Sequence, residues 1–365
     1  MSSPHETVRV ELGPRSYDIE IGSDNLGRLG QFLCERGKPS HAVILTDENV
    51  QEPHAVRAAE SLVEQSIDVA IMVVRPGEST KSIDAAAGLW EGLLDLGADR
   101  KSVMVAVGGG VVGDLAGFVA ATFARGIRFL QVPTTLLAQV DSSVGGKVGI
   151  NLPAAKNMVG VFLQPLGVLV DTATLGTLPD REFRSGLGEV VKYGVILDAE
   201  LFEYLEARAA QIAARDPQTL IHVIARCCRL KADVVQQDEL DESGQRAVLN
   251  YGHTFAHAFE TLTGYTELLH GEAVAIGMVS AARLAERLGR VDAQFVRRQQ
   301  ALLQALGLPV EPPKLDREKV LAAMARDKKA EHGRLRFVLP SRLGHVELVE
   351  GVDRAAVRAA LRGDG

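Results

Sequence analysis

Residues 102–126 read SVMVAVGGGVVGDLAGFVAATFARG: an apolar run, a cluster of glycines, then a helical pattern. A buried strand that enters a tight turn and then a helix is the building unit of a parallel sheet, because the chain must cross back before the next strand can start. Read from Gly108, the glycines at 108, 110 and 113 have the G-x-G-x-x-G spacing. That spacing lets backbone N–H groups approach a pyrophosphate at a helix N-terminus. The usual companion, an acidic residue ending the following strand, is missing, because that strand runs IRFLQVPTT. Acidic residues stand elsewhere: Asp47 ends LTD, and Glu78 lies with Lys81 in RPGESTK. If these loops meet at the carboxyl edge of the sheet, they supply the ribose and phosphate contacts instead.

The surrounding chain extends the same rhythm. TVRVEL and YDIEIG alternate around GPRS as a β-hairpin, followed by a strand at 42–47, a helix through 53–66, a strand at 68–74 and a helix near 80–97. Alternating units of this kind predict an α/β domain, Rossmann-like, with a largely parallel sheet and helices on both faces. From about Leu178 the texture changes. Amphipathic stretches at 189–213, 217–238, 253–263, 272–288 and 295–306 predict a mainly α-helical second half, with a late hairpin in RLRFVLPSRLGHVELV and a final helix after Asp353. A chain of 365 residues exceeds one ordinary core, so the division is placed at 1–176 and 177–365.

Composition narrows the function classes. The balance of 40 basic and 47 acidic residues, with no long basic run, argues against a nucleic-acid surface. No apolar run approaches a membrane span, and the three cysteines form neither a C-x-x-C pair nor an even disulfide set. These features predict a cytoplasmic protein that acts on small molecules.

Two short stretches concentrate histidine, LNYGHTFAHAFE and LLHGEAVAIGM. His253 and His257 are four apart and share a helical face, a spacing that can chelate zinc, and His270 opens another helical run. An open catalytic site needs another ligand. Glu189 in SGLGEVVKYG fits that role, although spacing does not single it out. Between the glycine turn and the helical half, Arg125, Thr134, Thr135, Asp141, Lys147, Lys156 and Asn157 are interspersed with Gly145 and Gly146, a composition suited to an oxyanion or phosphate. Lys231, Glu242, Arg246 and Asn250 precede the histidines.

Taken together, GGGVVGDLAGFVAATFARG, VPTTLLAQVDSSVGGKVGIN, KNMVG, GEVVKYG, DESGQRAVLNYGHTFAHAFE and HGEAVAIGM resemble the 3-dehydroquinate synthases of the shikimate pathway, from about residue 46 to 329. The resemblance implies an N-terminal NAD-binding domain, a C-terminal metal-binding helical domain, and an active site in the cleft between them. It assigns a zinc or cobalt ion to Glu189, His253 and His270, and turns His257 toward substrate. NAD would contact Asp47, Glu78, Lys81, Gly109, Gly110, Gly113, Asp114, Thr134, Thr135, Lys147 and Lys156. Substrate would meet Asp141, Lys147, Asn157, Lys192, Lys231, Arg246, Asn250 and His257, with Lys328 or Lys329 near its phosphate. Arg125 would reach the neighbouring subunit of a homodimer. Ala256 departs from the glycine the family often has there.

The implied reaction takes 3-deoxy-D-arabino-heptulosonate 7-phosphate to 3-dehydroquinate and phosphate through transient oxidation by NAD, elimination, reduction, ring opening and an intramolecular aldol. Relatives that cyclise other sugar phosphates (amino-dehydroquinate, 2-epi-5-epi-valiolone and 2-deoxy-scyllo-inosose synthases) would keep the NAD and metal motifs. A metal-dependent polyol dehydrogenase would instead accumulate NADH.

Overall fold

The computed structural model describes residues 5–153, 155–326 and 336–361. Its contacts divide the chain into two units, Met1–Pro179 with Leu220–Leu240, and Asp180–Thr219 with Asp241–Gly365.

The first unit carries β1 (His5–Val10), β2 (Tyr17–Gly22), α1 (Leu29–Glu35), β3 (His41–Asp47), α2 (Val56–Val63), β4 (Asp68–Val74), α3 (Ile83–Asp95), β5 (Val103–Gly108), α4 (Gly110–Thr122) and β6 (Arg128–Pro133). A ribbon of β7 (Lys147–Leu152) and β8 (Ala155–Phe162) follows, then β9 (Val168–Asp171). Seven strands form one sheet in the order β1-β2-β9-β6-β5-β3-β4, parallel except for the β1–β2 pair.

Period-two alternation explains why the central strands are apolar throughout. Val43, Leu45, Met104 and Ala106 pack under α3 and α4 with Leu89, Leu93, Leu115 and Val119. Their neighbours Ala42, Ile44, Val103 and Val105 face the other way, against Phe32 and Leu33 of α1 and Ala58 and Leu62 of α2. Burial on both faces is the signature of a parallel sheet between helical layers.

The second unit is helical: α5 (Asp180–Leu197) and α6 (Ala199–Ala213) open it, and α7 (Pro217–Gln237) starts in it and joins the first unit from Leu220. It continues with α8 (His253–Leu262), α9 (His270–Arg287), α10 (Ala293–Ala305), α11 (Arg317–Arg326), the hairpin β10 (Arg336–Arg342) with β11 (His345–Glu350), and α12 (Arg354–Ala360). The stretch expected as one helix over 189–213 is two. Asp198 lies in extended backbone and its carboxylate accepts from Glu200 N and Leu201 N, so it ends α5 and caps α6. Helix α9 is buried from Ala273 to Ala285 and packs against α5, α8, α10 and α12, which makes it the axis of this unit.

Candidate active site

In the first unit, the sheet order decides what can meet. β4, β3, β5 and β6 are consecutive neighbours and parallel, so their carboxyl ends share one edge. That edge carries Glu78 and Lys81 after β4, Asp47 at the end of β3, the glycine turn after β5, and Thr134 and Thr135 after β6. The chain leaves β3 toward β4 and returns to place β5 on β3's other side. This reversal is the switch point at which open α/β sheets bind ligands.

The edge is shaped for close approach by a nucleotide. A Cβ added at Gly109 would lie 2.9 Å from Thr135 Cγ2 and would push that side chain aside, so glycine keeps the turn close to Thr135. α4 begins at Gly110 and offers its N-terminal N–H groups and their partial positive charge. Thr134 Oγ1 is buried and makes no hydrogen bond within the described protein, a group that a ligand hydroxyl or phosphate oxygen can satisfy. Burial pushes the Asp47 carboxyl above its ordinary range, partly offset by the N–H groups of Asn49 and Val50. Lys81, 4% exposed, donates from Nζ to Asp114 Oδ2 at 2.7 Å and Asn157 Oδ1 at 2.6 Å. Burial likewise lifts the Asp114 carboxyl, against the pull of the Lys81 ammonium. Asp141 receives Lys231 Nζ from α7 at 2.5 Å, while Lys147 is exposed at the start of β7 with its ammonium 5.9 Å from the Phe162 ring centre.

In the second unit, ligand atoms of Glu189, His253 and His270 all lie within 4.8 Å of one another. Glu189 Oε1 is 3.7 Å from His253 Nε2 and 3.6 Å from His270 Nε2. Close backbone packing creates this geometry. A Cβ at Gly188 would sit 2.5 Å from the Gly271 carbonyl oxygen, and one at Gly271 would sit 1.8 Å from that of Ser185. Two glycines thus let α5 touch the first turn of α9, beside Glu189 and His270.

The imidazoles are oriented from behind. His253 Nδ1 bonds the Tyr251 carbonyl at 3.1 Å, and His270 Nδ1 bonds Glu260 Oε1 at 3.3 Å. In each ring Nε2 is then the nitrogen turned toward Glu189, the orientation a metal ligand takes. Glu260, buried and seven residues after His253 on α8, stands behind His270 where spacing alone did not flag it; its two-turn offset on the ligand face was the available signal. Burial pulls the His270 imidazole down, but Glu189 and Glu260 more than offset this and lift it to about 10. One carboxylate and two imidazoles suit zinc or cobalt with an open position. His257 stands next to His253, ring centres 5.6 Å apart and edge-on, but the ligand atoms that cluster are those of Glu189, His253 and His270, a different set from the i, i+4 pair suggested by spacing.

Lys192 follows one turn after Glu189 and pairs with its carboxylate. Arg246, 5% exposed, and Asn250 lie in the short 3-10 helix before α8. Lys328 and Lys329 lie outside the described residues.

A nucleotide edge and a carboxylate–imidazole metal set define a nucleotide- and metal-dependent enzyme. Family models agree: the 3-dehydroquinate synthase N-terminal model matches residues 71–185 and the C-terminal model matches 186–330. The chain belongs to the 3-dehydroquinate synthase family. A 3-dehydroquinate synthase from Rhodopirellula baltica is 50% identical, over 99% of this chain and 98% of that relative. Among solved structures, a 2-deoxy-scyllo-inosose synthase complexed with carbaglucose-6-phosphate, NAD+ and Co2+ matches with TM-score 0.89 and 28% identity over 98% of this chain and 99% of that one. A 2-epi-5-epi-valiolone synthase from Streptomyces hygroscopicus subsp. jinggangensis, with NAD+ and Zn2+ bound, matches with TM-score 0.87 and 28% identity over 96% of each.

Proposed function

We propose that the chain converts 3-deoxy-D-arabino-heptulosonate 7-phosphate to 3-dehydroquinate and inorganic phosphate, with NAD and a zinc or cobalt ion as resident groups and no net use of NAD. The observation that carries this reading is the Glu189, His253 and His270 set in a chain that matches its family from end to end. NAD bound at the edge of Asp47, Glu78 and the glycine turn would supply a reversible hydride acceptor for substrate C5, and an ion held by Glu189, His253 and His270 would supply a Lewis acid for the adjacent hydroxyls.

The chain's own residues bind and orient around that chemistry. Residues 1–176 hold the nucleotide, through Asp47, Glu78, Lys81, Gly109, Gly110, Gly113, Asp114, Thr134, Thr135, Lys147 and Lys156. Residues 177–365 hold the ion. Phosphate departs with negative charge, so cations and N–H donors must face it. Lys147, Asn157, Arg125 and His257 take that role, with Lys328 or Lys329. Asp141, Lys192, Lys231, Arg246 and Asn250 fix the carboxylate and hydroxyls. The Asp141–Lys231 pair supports this assignment, since each side chain holds the other in place. Elimination needs no dedicated protein base, because the substrate's phosphate accepts the C6 proton.

The same reading makes the enzyme a cytoplasmic homodimer in which Arg125 reaches the partner's phosphate site. Its three cysteines are free thiols, in keeping with a reducing compartment, and among the described residues no helix is long and apolar enough to cross a membrane. Ala124 and Arg125 have consecutive positive φ angles of 50° and 69°. Strain of this kind in non-glycine residues marks functional turns, and here it presents an exposed arginine. Leu152, Met158, Val161 and Phe162 on the β7–β8 ribbon are exposed apolar surface that a second copy would cover.

Incubation with the heptulosonate phosphate, NAD and zinc or cobalt tests the reading. Dehydroquinate and phosphate should appear in equal amounts with no accumulating NADH. NADH without phosphate release would make the chain a polyol dehydrogenase instead. A buried Arg246, four residues before Asn250, favours a substrate that bears a carboxylate over the carboxylate-free sugar phosphates of 2-deoxy-scyllo-inosose and 2-epi-5-epi-valiolone synthases.

A further inference from the structure

The β7–β8 ribbon is a separate two-stranded sheet, so no ladder of the main sheet fixes its tip against the nucleotide edge. Its own register slips at one place. Ile150 pairs with Val159 and Leu152 with Ala155, which leaves Asn151 opposite Lys156, Asn157 and Met158. A bulge of this kind re-aims side chains and is common beside active sites. It also frees backbone groups that must find other partners.

Asn151 supplies those partners. Its backbone N donates to the Lys81 carbonyl at 2.8 Å, and its Nδ2 donates to Glu78 Oε1 at 2.7 Å. Its Oδ1 accepts the Asn157 backbone N–H at 2.8 Å. Asn157 has a left-handed φ of 53°, a conformation that asparagine enters more readily than other non-glycine residues, and the bond to Asn151 Oδ1 holds its N–H in that turn. The circuit closes through Lys81, whose Nζ donates to Asn157 Oδ1 at 2.6 Å and to Asp114 at 2.7 Å. A short amide is suited to this place because it combines donor and acceptor on one planar group.

We infer that Asn151 is a positioning residue that couples the Glu78–Lys81 loop to Asn157. The inference rests on the reading that this loop faces NAD and Asn157 faces phosphate. Asn151 touches neither ligand in this role: it sets the bulge so that NAD contacts on Glu78 and Lys81 also hold Asn157 ready for phosphate. Occupancy of one ligand therefore tightens the other.

The test is a calorimetric titration of the zinc-loaded enzyme with inorganic phosphate, with and without saturating NAD. Asn151→Ala truncates the amide and Asn151→Leu keeps its shape without its hydrogen bonds. In the wild type, NAD should tighten phosphate binding about fivefold or more, the lower range of ordinary coupling. In both variants that ratio should fall toward one. Loss of stability alone would weaken both affinities and leave the ratio intact, so melting temperatures separate the two effects. If Asn151→Ala does not fold, Asn151→Leu carries the test. A wild type that binds both ligands without coupling, or variants that keep the wild-type ratio, would overturn the inference alone. A wild type that binds neither ligand would remove the functional reading as well.

Discussion

Gly271→Ala puts the metal geometry under direct strain. The new Cβ would stand 1.8 Å from the Ser185 carbonyl oxygen, 2.6 Å from its carbon and 2.9 Å from Ser185 Oγ, so ordinary contact requires a separation of about 1.5 Å more between α5 and the first turn of α9. Two of the three atoms are backbone, which leaves no flexible side chain to absorb the change. Overpacking of this kind costs about 1–3 kcal/mol of stability. The effect on the site is larger, because His270 is the residue adjacent to the substitution and metal ligands tolerate displacements of only about 0.2 Å. Zinc affinity, measured by competition with a chromophoric chelator, should fall at least 100-fold, while far-UV dichroism still reports a folded chain. Nearly wild-type zinc affinity in Gly271→Ala would refute the argument that the glycine contact sets the distance between Glu189 and His270.

Two further outcomes follow from the same geometry. Glu260→Gln should weaken zinc binding about 10–100-fold by loosening the His270 ring, and unchanged affinity would remove Glu260 from behind the ligand. In the metal-free protein, His270's raised value means its proton adds stability that is fully present below about pH 6.5 and lost as pH rises through about 10. Zinc must displace that proton, so wild-type affinity should climb about tenfold per pH unit across this window, more steeply than in Glu260→Gln. For the dimer, co-expressed Arg125→Ala and His270→Ala chains should recover about a quarter of wild-type activity, since half the dimers are mixed and each mixed dimer has one intact site. No recovery would confine Arg125 to its own subunit.

Six of the sheet's seven strands were legible to within a residue or two from their apolar runs or alternation, but β9, four residues long and seated between β2 and β6, was too short to stand out. That Asp47 and the glycine turn lie on one edge could be stated only as a condition, because the βαβ rhythm gives parallel strands but not the reversal that sets β5 beside β3. The β7–β8 ribbon was not legible. Its strands mix apolar residues with glycines and polar ones, β8 has no clean alternation, and the ribbon's place depends on the hydrogen bonds from Asn151 to Glu78 and Lys81 more than on periodicity. Local spacing also favoured the wrong histidine pair. His253 and His257 are neighbours on one helix, whereas His270 reaches the site only through the contact between Gly188 and Gly271, a tertiary event with no periodic signal. The break at Asp198 was readable in principle as a capping residue, but the apolar periodicity on both sides of it masked the signal.

On this mechanism the hydride is borrowed and returned within one turnover. Substrate carrying deuterium at C5 tests it most directly, with mass spectrometry of the product and of the NAD pool after many turnovers. The 3-dehydroquinate should retain the label at the corresponding carbon, with none in the nucleotide pool. Label accumulating in NADH, or product that has lost it, would contradict the account.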